Sequence, residues 1–97
     1  MDIRAFQERM RQLYGAKDAA RGRDGTFMYL VEEVGELAEA CREPGAHDLP
    51  GEFADVFAWL ASLANLHGID LATAVQAKYP ILCADCGTSP CTCASKP

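Results

Sequence analysis

The chain has 97 residues, a length typical of one domain. Its formal charge of −5 argues against a general nucleic-acid binder, because such proteins need a basic surface. The sequence has no apolar run of about 18 residues and no basic segment leading into an apolar one near its start. We therefore expect no membrane span, no secretory signal and a cytoplasmic location.

The first half of the chain predicts two helices separated by a polar loop. Asp2 is the expected N-cap of a helix over residues 2–13, where apolar side chains recur with helical spacing, and a glycine then ends it. Residues 16–25 are polar and partly basic, which favours a loop. Thr26 is the expected N-cap of a second helix over residues 26–43, which a Pro-Gly pair ends.

The second half predicts two more helices and a short tail. A third helix is expected over residues 52–66, and a fourth begins after Asp70 and ends at Pro80. No segment alternates as a strand does. We predict an all-α fold: residues 1–80 form a bundle of about four helices, and residues 81–97 form a cysteine-rich C-terminal tail. Because the third helix is apolar on nearly every side, it should be buried, and we expect oligomerisation to complete the bundle.

Acidic side chains are concentrated in the middle of the chain. Residues 26–56 contain eight acids and one base. On the second helix Glu33 lies at the edge of the apolar stripe and Glu36 stacks beside it, while Glu52 and Asp55 lie on the apolar side of the third helix. Antiparallel packing would bring the four carboxylates together, where only protonation or a metal ion makes them stable. Their oxygens favour Mg²⁺ or Mn²⁺. A solvated acidic face and first-turn acids that favour the helix dipole are the alternatives.

The order of these acids resembles a known family. "EEVGE" followed by "EFAD" is similar to the EExxE…ExxD motif of the MazG-like nucleotide pyrophosphohydrolases, and the similarity continues through "LANLHGIDLATAVQAKY". The resemblance implies an all-α enzyme that uses Mg²⁺ and assembles as a homodimer or as a dimer of dimers. The ligand positions it implies are Glu33, Glu36, Glu52 and Asp55. Glu32 falls on the first glutamate of the motif. The resemblance implies that it either hydrogen-bonds to the metal ligands, binds another ion or acts as the base that orients the attacking water.

The residues that would bind the substrate are less sharply indicated. Lys78 is a candidate for the triphosphate, although a lysine in the last turn of a helix often only extends to solvent. Arg21 and Arg23 precede the acidic helix and are candidates for the phosphates, with solvated loop arginines as the equal alternative. Asn65 is a polar residue in an apolar helix, and we expect it to hydrogen-bond either a base or sugar of the nucleotide or, equally, another helix within the oligomer.

The resemblance implies an Mg²⁺-dependent nucleoside triphosphate pyrophosphohydrolase that releases a nucleoside monophosphate and pyrophosphate, and the carboxylates described above are consistent with that chemistry. A helical regulatory or adaptor module that holds a metal or nucleotide without turnover is the alternative. Neither hypothesis requires a membrane or a nucleic-acid polymer as partner.

The tail carries four of the five cysteines. Cys83 and Cys86 have the two-residue spacing of a zinc knuckle, and Cys91 and Cys93 could supply the other two ligands of a structural Zn²⁺. A redox C-x-x-C pair and a disordered tail are the alternatives. Cys41 stands apart in the second helix, where we expect a small core residue.

Overall fold

The computed structural model describes residues 1–96 as three α-helices followed by an irregular C-terminal segment. The elements are α1 (Ile3–Arg42), a 3-10 turn (Pro44–Ala46), α2 (Leu49–Leu66) and α3 (Leu71–Lys78). No strand occurs among residues 1–96, so the predicted all-α class is confirmed. None of the helices described is long and apolar enough to cross a membrane. Pro97, the last residue of the predicted tail, lies outside the described residues.

Helix α1 continues through the segment that the sequence predicted as a loop. Residues 16–25 are helical except at Gly22, where φ is 85° and ψ is 171°. This conformation has a positive φ, which glycine adopts without steric cost, so the helix breaks at that residue alone. The predicted loop is therefore wrong, and so is the predicted cap at Thr26, which is fully buried inside the helix. The alanines of this segment are strong helix formers and carry the helix across it.

Each of the three α-helices has an aspartate as its N-cap. Asp2 accepts a hydrogen bond from the backbone N–H of Ala5, and Asp70 accepts one from Thr73, so both predicted caps are confirmed. Helix α2 begins three residues earlier than predicted, because Asp48 accepts a bond from the N–H of Gly51. Pro50 and Gly51 lie in the first turn of α2, where proline is tolerated because its missing N–H has no partner there.

Helix α2 runs back along α1 and contacts both sides of the break. Phe6 and Phe57 meet with ring centroids 5.2 Å apart, and the rings of Tyr29 and Trp59 stack at 4.9 Å. At the far end, Arg4 of α1 pairs with Asp70 before α3 at 2.8 Å. These contacts fix the middle of α2 and the segment after it against α1, and the first turn of α2 lies beside the acidic part of α1.

One chain buries very few apolar side chains. The buried apolar residues are Met10, Ala40, Ala61 and Ala64. Larger side chains of both long helices remain exposed, among them Phe27, Val31, Val34, Phe53, Phe57 and Leu60. A single chain therefore leaves the predicted third helix partly exposed, and its burial in an oligomer stays a prediction. Cys41 is exposed, so the prediction of a small core residue is wrong for the single chain.

Candidate functional site

Three of the predicted carboxylates meet where the acidic part of α1 faces the first turn of α2. One oxygen from each of Glu33, Glu36 and Glu52 lies within 4.8 Å of the others. Glu33 and Glu36 are three residues apart and therefore share one face of α1. The first turn of α2 brings Glu52 to that face. We call these three residues the carboxylate cluster.

The carboxylate cluster is partly removed from solvent without compensation. One oxygen each of Glu33 and Glu52, Oε2 in both, is buried and has no hydrogen-bond partner. Burial, followed by the proximity of Glu36, raises the pKa of Glu33 to about 7. Burial and the negative charges of Glu36 and Asp55 also raise the pKa of Glu52. None of the ion pairs formed within residues 1–96 involves these side chains. The cluster thus combines buried acceptors with shared negative charge, and no lysine or arginine among residues 1–96 forms an ion pair with it.

Asp55 and Glu32 occupy different places around the cluster. Asp55 is exposed, and its charge contributes to the raised pKa of Glu33 and of Glu52, but its oxygens lie outside the group of three. It also lines a cleft of about 360 Å³ between α1 and α2. Glu32 is exposed on another face, beside Met28 and Val31. Asp55 therefore connects the cluster to a cleft, whereas Glu32 lies apart from both in this chain.

The cleft beside Asp55 has an aromatic and charged lining. Its side chains include Tyr14, Lys17, Asp18, Arg21, Trp59 and Ser62. Asp18 is only 2% exposed, and its Oδ2 has no partner, while its Oδ1 accepts a bond from Arg21 at 2.9 Å. Sequence reasoning missed Asp18 because it placed this residue in a loop. Asp18 lies three residues before Arg21, and side chains at this spacing are neighbours on a helix. A helical reading of the segment would therefore have predicted the pair.

Arg21 is held in place by several contacts. Besides the bond to Asp18, its guanidinium donates to the Thr26 hydroxyl at 3.2 Å and lies 4.7 Å from the centre of the Trp59 ring. Arg21 and Arg23 also line a second cleft, of about 730 Å³, at the break in α1. Arg21 thus lies in the wall shared by the two clefts, and Arg23 is exposed in the second one.

The two other predicted substrate residues lie elsewhere. Asn65 donates to the backbone carbonyl of Gln7 at 3.1 Å and accepts from the Gln7 amide at 2.9 Å. Gln7 in turn accepts from the N–H of Leu71, so this pair joins α1 to the α2–α3 connection. Asn65 therefore bonds to another helix of its own chain, and bonding within an oligomer stays a prediction. Lys78 is exposed in the last turn of α3.

The four tail cysteines form a second cluster. The sulfur atoms of Cys83, Cys86, Cys91 and Cys93 all lie within 4.8 Å of one another, and no disulfide joins them. A hydrogen bond from Thr88, together with backbone N–H bonds, lowers the pKa of Cys86 to about 5. The contact with Cys91 raises the pKa of Cys93 to about 11. These opposite shifts are expected where several thiols share one small volume.

The chain is thus an all-α protein with a carboxylate cluster between two helices, and sequence comparison gives its family. Residues 22–79 match the model of the MazG nucleotide pyrophosphohydrolase domain. The chain therefore belongs to this family. Over 57 residues it is 46% identical to a dATP/dGTP diphosphohydrolase of Cyanophage S-2L. The match covers 59% of this chain and 50% of that protein, so the chain spans about half the length of this curated relative.

Proposed function

We propose that this protein is an Mg²⁺-dependent nucleoside triphosphate pyrophosphohydrolase that releases a nucleoside monophosphate and pyrophosphate. The observation that carries the proposal is the carboxylate cluster, in which Glu33, Glu36 and Glu52 converge with buried oxygens that lack partners. Membership of the MazG family supports the same reaction class. A regulatory module that only holds a nucleotide or a metal remains the alternative to test.

The residues present fit a hard divalent cation. All donors are carboxylate oxygens, which suits Mg²⁺ or Mn²⁺, and such an ion would satisfy the two orphan oxygens of Glu33 and Glu52. Glu33, Glu36 and Glu52 would hold it, with Asp55 at the edge next to the cleft. When bound, the cation would neutralise phosphate charge and lower the pKa of a water molecule. Glu32 is proposed to act at the edge of this site, on a water or on a second ion, since its side chain is exposed.

The cleft beside Asp55 is the place proposed for the nucleotide. Tyr14 and Trp59 give its lining aromatic side chains, and Arg21 offers a cation that its contacts with Asp18 and Thr26 hold in position. Arg23 is proposed to meet the outer phosphates from the neighbouring cleft, with Lys78 as a further candidate cation. The relative named for dATP and dGTP makes these two nucleotides the first substrates to test.

The proposed active form is a homodimer or a dimer of dimers. A single chain leaves Phe53, Phe57 and Leu60 of α2 at 56%, 39% and 40% exposure. Phe27 and Val34 of α1 are also exposed, at 51% and 48%. Apolar side chains spread along two long helices are expected to be buried against another copy of the same chain.

Pyrophosphate release from each ribo- and deoxyribonucleoside triphosphate, with and without Mg²⁺, tests the proposal. Chromatography of the products should show a monophosphate and pyrophosphate in equal amounts. Production of a diphosphate and phosphate would contradict the assigned bond cleavage. Nucleotide binding in calorimetry without turnover on any substrate would favour the regulatory alternative. The Asp55→Asn variant is the control for contaminating phosphatases, because it should lose the activity while keeping its helical circular dichroism.

A further inference from the structure

The C-terminal segment has a defined conformation with no helix or strand and little buried surface. Residues 79–96 contain no helix or strand, and most of their side chains are exposed. The half-buried residues in this segment are Cys83, Cys86 and Cys93. Fixing a backbone costs conformational entropy, which small exposed segments cannot offset by burying apolar surface. The cysteines are therefore the groups that must supply the compensating interaction.

The backbone around the first two cysteines forms a tight turn. The N–H of Gly87 donates to the carbonyl of Cys83 at 2.8 Å, and the N–H of Cys83 donates to the carbonyl of Thr88 at 3.0 Å. Gly87 has a φ of 71°, a conformation that strongly favours glycine. This turn directs the sulfurs of Cys83 and Cys86 to the same side, where Cys91 and Cys93 meet them.

The distances between the sulfurs suit a shared metal ion. The Sγ atoms of Cys83 and Cys93 are 3.9 Å apart, and those of Cys86 and Cys91 are also 3.9 Å apart. A tetrahedral Zn²⁺ with Zn–S bonds of about 2.3 Å holds its sulfurs about 3.8 Å apart. A disulfide requires about 2.0 Å. These two pairs of sulfurs therefore have the separation of ligands of one tetrahedral Zn²⁺ and not that of disulfides, and all four sulfurs lie within 4.8 Å of one another.

Hydrogen-bond donors point at two of these sulfurs. The backbone N–H of Thr92 donates to Cys86 Sγ at 3.4 Å, and that of Cys93 donates to Cys91 Sγ at 3.3 Å. The hydroxyl of Thr88 lies 3.1 Å from Cys86 Sγ. Such donors stabilise thiolates, which are the form of cysteine that binds metals, and they orient the ligands.

We propose that Cys83, Cys86, Cys91 and Cys93 bind one structural Zn²⁺ per chain. Four soft thiolates in tetrahedral spacing select Zn²⁺ over Mg²⁺, and the two metals thus have separate sites in one chain. The zinc site has no open coordination position, so it orders the tail and takes no part in hydrolysis. Binding replaces the remaining thiol protons, so zinc affinity falls as the pH is lowered. The proposal does not depend on the proposed enzymatic activity.

Elemental analysis of the full-length protein, purified without chelators, should show one zinc per chain. Cobalt substitution gives a second readout, because a tetrahedral Co²⁺–thiolate centre absorbs visible and near-ultraviolet light characteristically. Cys86→Ser should lose the zinc, whereas Cys41→Ser, which removes the exposed thiol of α1, should keep it. Asp55→Asn should also keep its zinc, which separates this site from the carboxylate cluster.

A substitution at a cysteine could unfold the protein, so hydrogen exchange of the wild-type protein provides an independent test. When a strong zinc chelator is added to the wild-type protein, amides of residues 81–96 should exchange faster while those of α1 and α2 stay protected. Stoichiometric iron in place of zinc would overturn the metal assignment. Metal-free protein in which all four thiols react freely under native conditions would overturn the site itself, and so would two disulfides found by mass spectrometry.

Discussion

Replacing Glu33 by glutamine should stabilise the metal-free protein at neutral pH. The substitution keeps the size of the side chain and removes the charge that the carboxylate cluster disfavours. In the native state the pKa of Glu33 is about 7, against an ordinary value of 4.5. The native protein therefore holds this proton more tightly than the unfolded chain does. The resulting stability is fully present below about pH 4.5 and is lost as the pH rises through about 7.

The pKa of Glu33 sets the size of the effect. A rise from 4.5 to about 7 corresponds to about 3 kcal/mol of unfolding free energy. Part of the carboxylate remains in contact with water, and salt screens it further, which reduces the expected loss to about 1–2 kcal/mol. For a domain of this length each 1 kcal/mol shifts the melting temperature by about 4–8 °C. Glu33→Gln should therefore melt roughly 5–15 °C above the wild type at pH 8, and close to it at pH 4.5.

Thermal denaturation followed by circular dichroism, in metal-free buffer of low salt from pH 4.5 to 8, measures this difference. Glu32→Gln is the matched control, because Glu32 is the adjacent glutamate, is exposed and lies outside the cluster. It should follow the wild type at every pH.

Saturating Mg²⁺ should reverse the order, because the ion stabilises only the protein that keeps its ligand. If Glu33→Gln follows the wild type across the whole pH range, the carboxylate is not destabilised by its surroundings. A gap of the opposite sign at pH 8 would mean that an ionised Glu33 is held by a favourable partner. Either result would refute the metal-site interpretation of the buried oxygens.

Other consequences of the site and the exposed faces can be measured separately. Glu36→Gln or Asp55→Asn should lower kcat/KM by more than about 100-fold, since even residues that only support the metal ligands lose about 10–100-fold in activity when they are replaced. Full activity in Asp55→Asn would remove that residue from the site. Added Mg²⁺ or Mn²⁺ should raise the wild-type melting temperature in a concentration-dependent way, whereas an unchanged midpoint at millimolar ion would count against a divalent site. Sedimentation should show a homodimer or larger at micromolar concentration, and Phe53→Ser should weaken it because Phe53 is 56% exposed in one chain; a folded wild-type monomer would contradict the assembly.

Local sequence patterns predicted the features that depend on neighbouring residues. The caps at Asp2 and Asp70 and the end of the last helix before Pro80 are present as predicted. Such signals are reliable because a short polar side chain satisfies an N–H only a few residues away. The loop over residues 16–25 was wrong, because polarity was taken for irregular structure although the segment is rich in helix-forming residues.

The carboxylate cluster shows how far local pattern can carry a prediction. The spacing of Glu33 and Glu36 placed both on one face of a helix, and the structure brings Glu52 to them. The spacing could not show that Asp55 would lie at the edge of the cluster, beside a cleft. That position depends on how α2 is rotated and shifted along α1, which the packing of Phe57 and Trp59 decides. The metal-ligand roles themselves remain predictions.

The sequence alone determined which residues share a helix face and which cysteines lie close along the tail, since both depend on spacing within a single segment. Only the tertiary structure decided that Arg21 is held by Asp18, Thr26 and Trp59 and that Asn65 bonds to Gln7. It also decided that large apolar side chains of α1 and α2 remain exposed in one chain. Contacts between helices depend on the break at Gly22 and on how the helices pack. Such contacts join residues that are distant in sequence, and no short sequence pattern links those residues.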